Sequence, residues 1–307
     1  MCSFISVEPT LGMTRSNVAV TGGNGKIGSA ILAHLDDYGY ETVNISLGKR
    51  RENESDTYIT TDLLDAGETY GALAKSDADA VIHMGTIPHP YNHPEYTTYE
   101  SNVMSTMHLL EASQSLGIES ICIASSINAI GSEHQRRPAD IRYLPVDENH
   151  PRTPSDSYGI AKHAMEVTAD GFGRRENTDM TVSSLRYPWV ASSEEIRNHI
   201  TDTDRTLDGL KAANESTTHD VLFSYLHIED AAAAARKAIE ADFDGHEVFW
   251  TVAKDTITAV PTHELIDEFY PTVETQTNLS GYESLISTTK AAELLDWTPQ
   301  HSWRGLS

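Results

Sequence analysis

The sequence predicts an α/β fold, a doubly wound parallel sheet with a smaller C-terminal lobe that covers a substrate, and three observations carry that prediction. Short apolar runs alternate with helical spacing to about residue 190. A glycine-rich turn joins the first run to the first helical pattern. Further on, Tyr158 and Lys162 stand one helical turn apart.

The first strand is expected over Asn17–Thr21, and the chain then reads Gly22-Gly23-Asn24-Gly25-Lys26-Ile27-Gly28. Ile27, Ile31, Leu32 and Leu35 follow with helical spacing. Glycines at such a joint let the backbone turn sharply and let a diphosphate approach the first N–H groups of the helix. Gly22, Gly25, Lys26, Ile27 and Gly28 are therefore candidate cofactor-binding residues. An ordinary glycine-rich turn is the plainer alternative; the strand before, the helix after and the Tyr/Lys pair weigh against it. Further strands are expected at 42–47, Thr57–Thr60, 80–84, 120–125 and Thr181–Tyr187, with helices around 96–116 and 158–175. Beyond these, 223–228 and 247–253 read as strands and 230–241 as an alanine-rich helix. The organisation expected is a tail at 1–16, a dinucleotide-binding domain of 17–187 plus 221–254, and a substrate lobe of 188–220 plus 255–307.

The chain carries 46 acidic and 22 basic residues, a formal charge of −24, and only 8 of the basic residues are lysine. Nucleic acid and anionic membranes both need a basic face, so neither is expected as a partner. A surface this acidic repels itself in dilute buffer, whereas molar salt shortens the Debye length to about 3 Å. The composition reads as that of a salt-adapted, cytoplasmic protein. Cys2 and Cys122 make neither a disulfide framework nor a zinc site, and Cys122 lies in an apolar run as a small core residue. No apolar run approaches the length of a membrane span. The first 16 residues lack a charged start followed by an apolar stretch, so no secretory signal is expected, and Met13 is an alternative start.

A phenol beside an ammonium gives an enzyme an oxygen base near neutral pH. The cation is expected to pull the Tyr158 pKa below its ordinary value of about 10. Taken together the pieces resemble the extended short-chain dehydrogenase/reductase family, which includes sugar epimerases and dehydratases. Thr21, Gly22, Gly25 and Gly28 match its glycine motif, and Asp62-Leu63 matches the pair that usually holds adenine. Asn102-Val103 and Thr106 match its Asn-Val-x-Gly-Thr helix, with Ser105 in place of the glycine. Ser125-Ser126 with Gly131, and Pro154, Tyr158-Gly159, Lys162 and Glu166, match the two motifs that follow. Leu185-Arg186, His227 to Ala231, Lys290 and Leu295 to Pro299 match later landmarks.

The resemblance implies a Rossmann-type fold and hydride transfer to or from a nicotinamide cofactor. In it Tyr158 is the general base or acid, and Lys162 lowers its pKa and holds the ribose hydroxyls. Ser126 bonds the reacting oxygen, Asn102 fixes the helix and a proton-relay water, and Tyr187 joins the cofactor set. For Asn102 a plain helix-bending or capping role is the alternative. After the second strand, where NAD-selective sheets place a carboxylate, the chain reads Gly48-Lys49-Arg50-Arg51, with none before Glu52. Three consecutive cations suit a 2′-phosphate, so NADP is expected over NAD.

Two chemistries share this scaffold. Sugar-nucleotide members carry an arginine, for the diphosphate, where this chain has Phe223. The stretches at 83–86, 125–131 and 223–227 look most like aldose and uronate 1-dehydrogenases, which oxidise the anomeric carbon to a lactone. With the acidic composition, this implies an NADP-dependent enzyme of the haloarchaeal L-arabinose dehydrogenase type. Substrate contacts are expected from Thr86, Pro88, Ser126, Asn128, Tyr158 and Trp189. A uronate enzyme, for which Arg197 is the nearby candidate, and a nucleotide-sugar epimerase or dehydratase remain alternatives. Uronate dehydrogenases carry asparagine where Ile127 stands. Non-catalytic cofactor sensors on this scaffold typically lack the Tyr or the Lys, and both are present. His83, His89, His93 and His108 fit no zinc spacing, so no metal is expected. The proline-rich 87–94 segment reads instead as a lid. The resemblance also implies a homodimer or homotetramer through the helices near 96–116 and 158–175.

Overall fold

The computed structural model describes residues 17–51, 55–135, 138–176, 179–202, 204–212 and 217–306. The expected tail at 1–16 and Glu52 lie outside the described residues. Seven parallel strands form the central sheet: β1 (Asn17–Thr21), β2 (Glu41–Ser46), β3 (Thr57–Thr60), β4 (Ala80–His83), β5 (Ser120–Ser126), β7 (Thr181–Tyr187) and β10 (Gly245–Trp250). Their order across the sheet is β3-β2-β1-β4-β5-β7-β10, so the winding reverses between β1 and β4. The central strands β4, β5 and β7 are buried along their length because both faces are covered, whereas the edge strand β3 is partly exposed. Side chains alternate between faces, so Val18 and Val20 join the core under α1 (Lys26–Asp37) and α8 (Ile228–Glu240). Ala19 joins the opposite core, under α2 (Ala66–Ser76), α3 (Glu95–Leu116) and α4 (Ser157–Gly173).

The C-terminal segments hold three more pieces of pairing and several short helices. β6 (Tyr143–Leu144) pairs with β11 (Glu274–Thr275), and β8 (Trp189–Ala191) pairs with β9 (Tyr225–His227). Helices α5 (Ser193–Asp202), α6 (Leu207–Ala212), α7 (Thr217–Asp220), α9 (Thr262–Phe269) and α10 (Thr289–Leu295) complete the described residues. A third core, including Leu144, Phe223, Trp250, Leu265 and Leu285, lies beneath these segments.

Most expected strands of the first half shift by a residue at most, and larger shifts fall in the second half. The strand expected at 223–228 begins only at Tyr225, because Leu222 (φ 57°) and Phe223 (φ 52°) are left-handed and turn the chain. The helix expected from 230 begins at Ile228, with the His227 ring accepting the Glu229 N–H as its cap. The strand expected at 247–253 runs from Gly245 to Trp250.

Buried polar groups tie the layers together. Glu166 on α4 accepts from Ser125 (2.7 Å), from Arg186 Nε and Nη2 (2.9 and 2.8 Å), and from Arg152 (3.2 Å). Burial pushes its carboxyl pKa up, but the guanidinium charge of Arg186 overrides this and holds it below the ordinary value. Ser184, His246 and Asp170 form a serine–histidine–aspartate chain at 2.8 and 2.7 Å. Ser184 is fully buried inside the sheet, so this chain joins β7 and β10 to α4 and offers no nucleophile to a ligand.

Candidate active site

A cleft of about 800 Å³ opens at the carboxyl ends of the strands, beside the reversal between β1 and β4. Its floor is the glycine turn. Gly22 has φ 68°, and a Cβ there would lie 2.7 Å from the Met84–Gly85 backbone. A Cβ on Gly28 would lie 2.4 Å from the Gly22 carbonyl oxygen, so this packing admits only glycine. Helix α1 begins at Gly25 without a side-chain cap and without an acidic residue in its first turn. By contrast, Asp65 caps α2 and Asp156 caps α4. The first N–H groups of α1 therefore face the cleft without a competing carboxylate from their own helix, a cradle that fits a dinucleotide diphosphate. Lys26 reaches across the turn, donating to Val190 O (2.8 Å) and pairing with Glu195 (2.6 Å) on α5.

Of the residues expected from the sequence, Gly22, Gly25, Lys26, Ile27, Gly28, Tyr158, Lys162 and Tyr187 line the cleft. So do Thr86, Pro88, Ser126, Asn128 and Trp189. The Tyr187 hydroxyl donates to Ala231 O at 3.1 Å, which leaves its ring to face the cleft. Lys49, Arg50, Arg51, Asp62 and Leu63 lie on the turns after β2 and β3, outside the lining. Arg50 donates to Ser55 O and Arg51 to Asn24 O on the glycine turn.

Tyr158 and Lys162 share one face of α4, the ammonium 5.6 Å from the phenol ring centre. The expected downward shift of the phenol is not what the fold produces. Burial pushes Tyr158 up to about 12, the Ser126 hydroxyl bonded to it opposes that rise, and the Asp156 and Glu133 charges add to it. The same burial pulls Lys162 down to about 7. Lys162 spends its donors on Ala124 O (2.6 Å) and Thr86 Oγ1 (3.0 Å), so in the protein alone its charge serves those oxygens.

Asn102 differs from expectation as well. It is fully buried outside the cleft lining, accepting from Ile87 N (2.7 Å) and donating to Ile87 O (3.0 Å). Both ends of its amide are spent on Ile87, where the proline-rich 87–94 segment begins. Ser105, the departure from the family glycine, meets His83 Nε2 at 3.3 Å and donates to Asn102 O. On its other side His83 Nδ1 meets Thr21 Oγ1 at 2.7 Å, and that oxygen also accepts the Gly85 N–H. These partners assign a neutral ring protonated at Nε2. Burial, reinforced by the Lys162 charge, pulls its pKa to about 3.

Several lining residues were not picked out from the sequence. Glu133 and His134 enter from the loop after Gly131, and His199, Val221, Ser224 and Ile257 enter from the C-terminal segments. His134 takes φ 68° and meets the Tyr91 hydroxyl of the 87–94 segment at 2.6 Å. Its ring stands 6.2 Å from that of Tyr158, edge to face. A left-handed non-glycine residue beside a cleft is the kind of strain found at functional sites, yet no sequence periodicity marks it.

Among the described residues His227, Glu229 and His301 lie close enough to share an ion. His227 Nδ1 accepts the Glu229 N–H, so Nε2 carries the proton and points to Ser193 at 2.9 Å. That tautomer presents no lone pair to a metal. His301 is held through Nδ1 by Asp230 at 2.9 Å.

A dinucleotide cradle at the winding reversal, with a buried Tyr/Lys pair and serine beside it, defines a nicotinamide-dependent enzyme. The sequence matches the NAD dependent epimerase/dehydratase family over residues 18–250, and the chain belongs to that family. It is 24% identical to the UDP-glucose 4-epimerase of Rhizobium meliloti, over 94% of each chain. It is 28% identical to the NAD-dependent glucose-6-phosphate dehydrogenase of Haloferax volcanii, over 55% of this chain and 66% of that one. The share of a curated relative that the chain spans runs from 44% to 94% among those matched. Among solved structures, MoeE5 in complex with UDP-glucuronic acid and NAD superposes with a TM-score of 0.68 at 21% identity, over 94% of this chain and 96% of that one. No helix among the described residues is long and apolar enough to cross a membrane.

Proposed function

We propose that the protein is an NADP-dependent sugar 1-dehydrogenase that oxidises a free aldose, L-arabinose or a related pentose or hexose, at the anomeric carbon to a lactone. The observation that carries this reading is the charge of the cleft. Among the described residues no arginine lines it, and Phe223, where the resembled sugar-nucleotide enzymes carry one, is 1% exposed against Phe269. A diphosphate there would be left without its cation. Arg197, the candidate for a uronate carboxylate, is exposed on α5 and absent from the lining.

In this reading the nicotinamide supplies the hydride acceptor. Tyr158 takes the proton of the anomeric hydroxyl as general base. Ser126 donates to the reacting oxygen and stabilises the charge developing there. Lys162 holds the ribose hydroxyls, while Asn102 and Thr86 position the segment above them. The glycine turn and the first N–H groups of α1 hold the diphosphate. Arg51, drawn to the turn by Asn24, supports a role for the Lys49-Arg50-Arg51 run at a 2′-phosphate, with NAD as the alternative. The sugar is proposed to lie against Thr86, Pro88, Asn128 and Trp189. Residues 17–187 with 221–254 act as the cofactor domain and the remaining described segments as the substrate lobe. Exposed Tyr96, Tyr99, Met104 and Ile160 on α3 and α4 are read as a two-fold interface. The composition is read as that of a salt-adapted, cytoplasmic enzyme.

The full-length likeness to a UDP-glucose 4-epimerase favours a second reading, a nucleotide-sugar epimerase that regenerates its cofactor internally. Mixing protein, a panel of free sugars and either NADP or NAD while following absorbance at 340 nm separates the two. Reduced cofactor in net turnover with L-arabinose is expected. Interconversion of UDP-sugars with no reduced cofactor from any free sugar would overturn the proposal.

A further inference from the structure

We propose that Glu133 sets the charge class of the substrate, accepting hydroxyl groups of an uncharged sugar and rejecting sugars that carry a carboxylate or phosphate. This rests on the sugar-oxidising reading above and names the residue that selects within it. Among the described lining residues the lysine cations are Lys26 and Lys162 and the carboxylate is Glu133. Lys26 lies at the glycine turn with its ammonium committed to Val190 O and Glu195, and Lys162 is committed to Ala124 O and Thr86. Glu133, the carboxylate among the described lining residues, lies near enough for its charge to act on Tyr158.

The backbone that carries the carboxylate is held in place. Asn128 Oδ1 accepts both the Glu133 N–H (2.7 Å) and the Ser132 hydroxyl (3.0 Å), and the Asn128 N–H donates to Ser126 Oγ at 3.2 Å. One asparagine therefore links the position of Glu133 to the serine beside the phenol. On the other side His134, left-handed and anchored by Tyr91, lies 3.6 Å from the Glu133 carboxylate. An ionised carboxylate is acceptor-only and can take two hydrogen bonds from neighbouring hydroxyls, whereas a second anion placed against it meets like charge and no donor. Asn128 is thus a positioning residue, acting through Glu133.

The test compares the parent protein with Glu133→Gln at the parent's optimal salt, using L-arabinose, D-galactose and D-galacturonate. Binding to the NADP complex is read by calorimetry, and kcat/KM by absorbance at 340 nm. Glu133→Gln is expected to weaken neutral sugars roughly 10-fold, chiefly in KM, and to raise the galacturonate to galactose ratio by about 10-fold or more. NADP affinity should stay within twofold. A ratio unchanged within twofold overturns the proposal, as does a parent that binds neither sugar class. Binding that shifts as described, without reduced cofactor from any sugar, would uphold the role of Glu133 and sink the dehydrogenase reading instead.

Discussion

Burial displaces the proton affinities of Tyr158 and Lys162 in opposite directions, the phenol up to about 12 and the ammonium down to about 7. Replacing Tyr158 with Phe should cut kcat by about 10²–10⁴-fold while leaving cofactor affinity near normal, as read by NADPH fluorescence titration. Lys162 makes a separate prediction about stability. Its pKa is about 7 in the fold and 10.5 ordinarily, so between those values the unfolded chain binds the extra proton. Its contribution to stability therefore rises with pH across that window, and its cost is greatest below pH 7. In urea titrations, any stability advantage of Lys162→Met over the parent should be greatest near pH 6 and shrink towards pH 10. Tyr158, Lys162 and Ser126 could be picked out from sequence because helical spacing and motif order mark them. Glu133 and His134 could not, since a loop conformation carries them into the cleft and nothing periodic records it. The fate of Asn102 was equally hidden, because its Ile87 partner lies 15 residues away, across an irregular segment and the start of α3.

At the scale of elements, the joint between β1 and α1 is where shape matters most. Gly28→Ala would drive a methyl group to within 2.4 Å of the Gly22 carbonyl, so the turn must open. The expected outcome is a folded protein, by circular dichroism, with NADP affinity at least 10-fold weaker. The pairing proposed for α3 and α4 can be checked by light scattering, where Ile160→Glu should shift the protein to monomer by burying an unpaired charge in the contact. Element types in the sheet were legible because strands covered on both faces are rich in apolar residues, as in β1, β4 and β5. Boundaries at the C-terminal end were not, since the left-handed pair Leu222–Phe223 turns the chain without a glycine to announce it.

Across the whole molecule, a formal charge of −24 sets the terms on which the fold persists. Raising KCl from 0.1 to 2 M should raise Tm by several degrees and preserve activity that is lost on dialysis into salt-free buffer. Unchanged Tm across that series would remove the case for salt adaptation. A parallel sheet that binds its ligand at the carboxyl ends of the strands could be expected from strand–helix alternation, whereas the strand order could not. The C-terminal helices α5 to α7 could not, being too short for periodicity to show. The contact between Ser105 and His83 extends beyond this one chain. Reverting Ser105 to glycine alone would strand a ring N–H in the interior, so the two positions should change together in descent. Homologues with glycine at the former are expected to lack histidine at the latter.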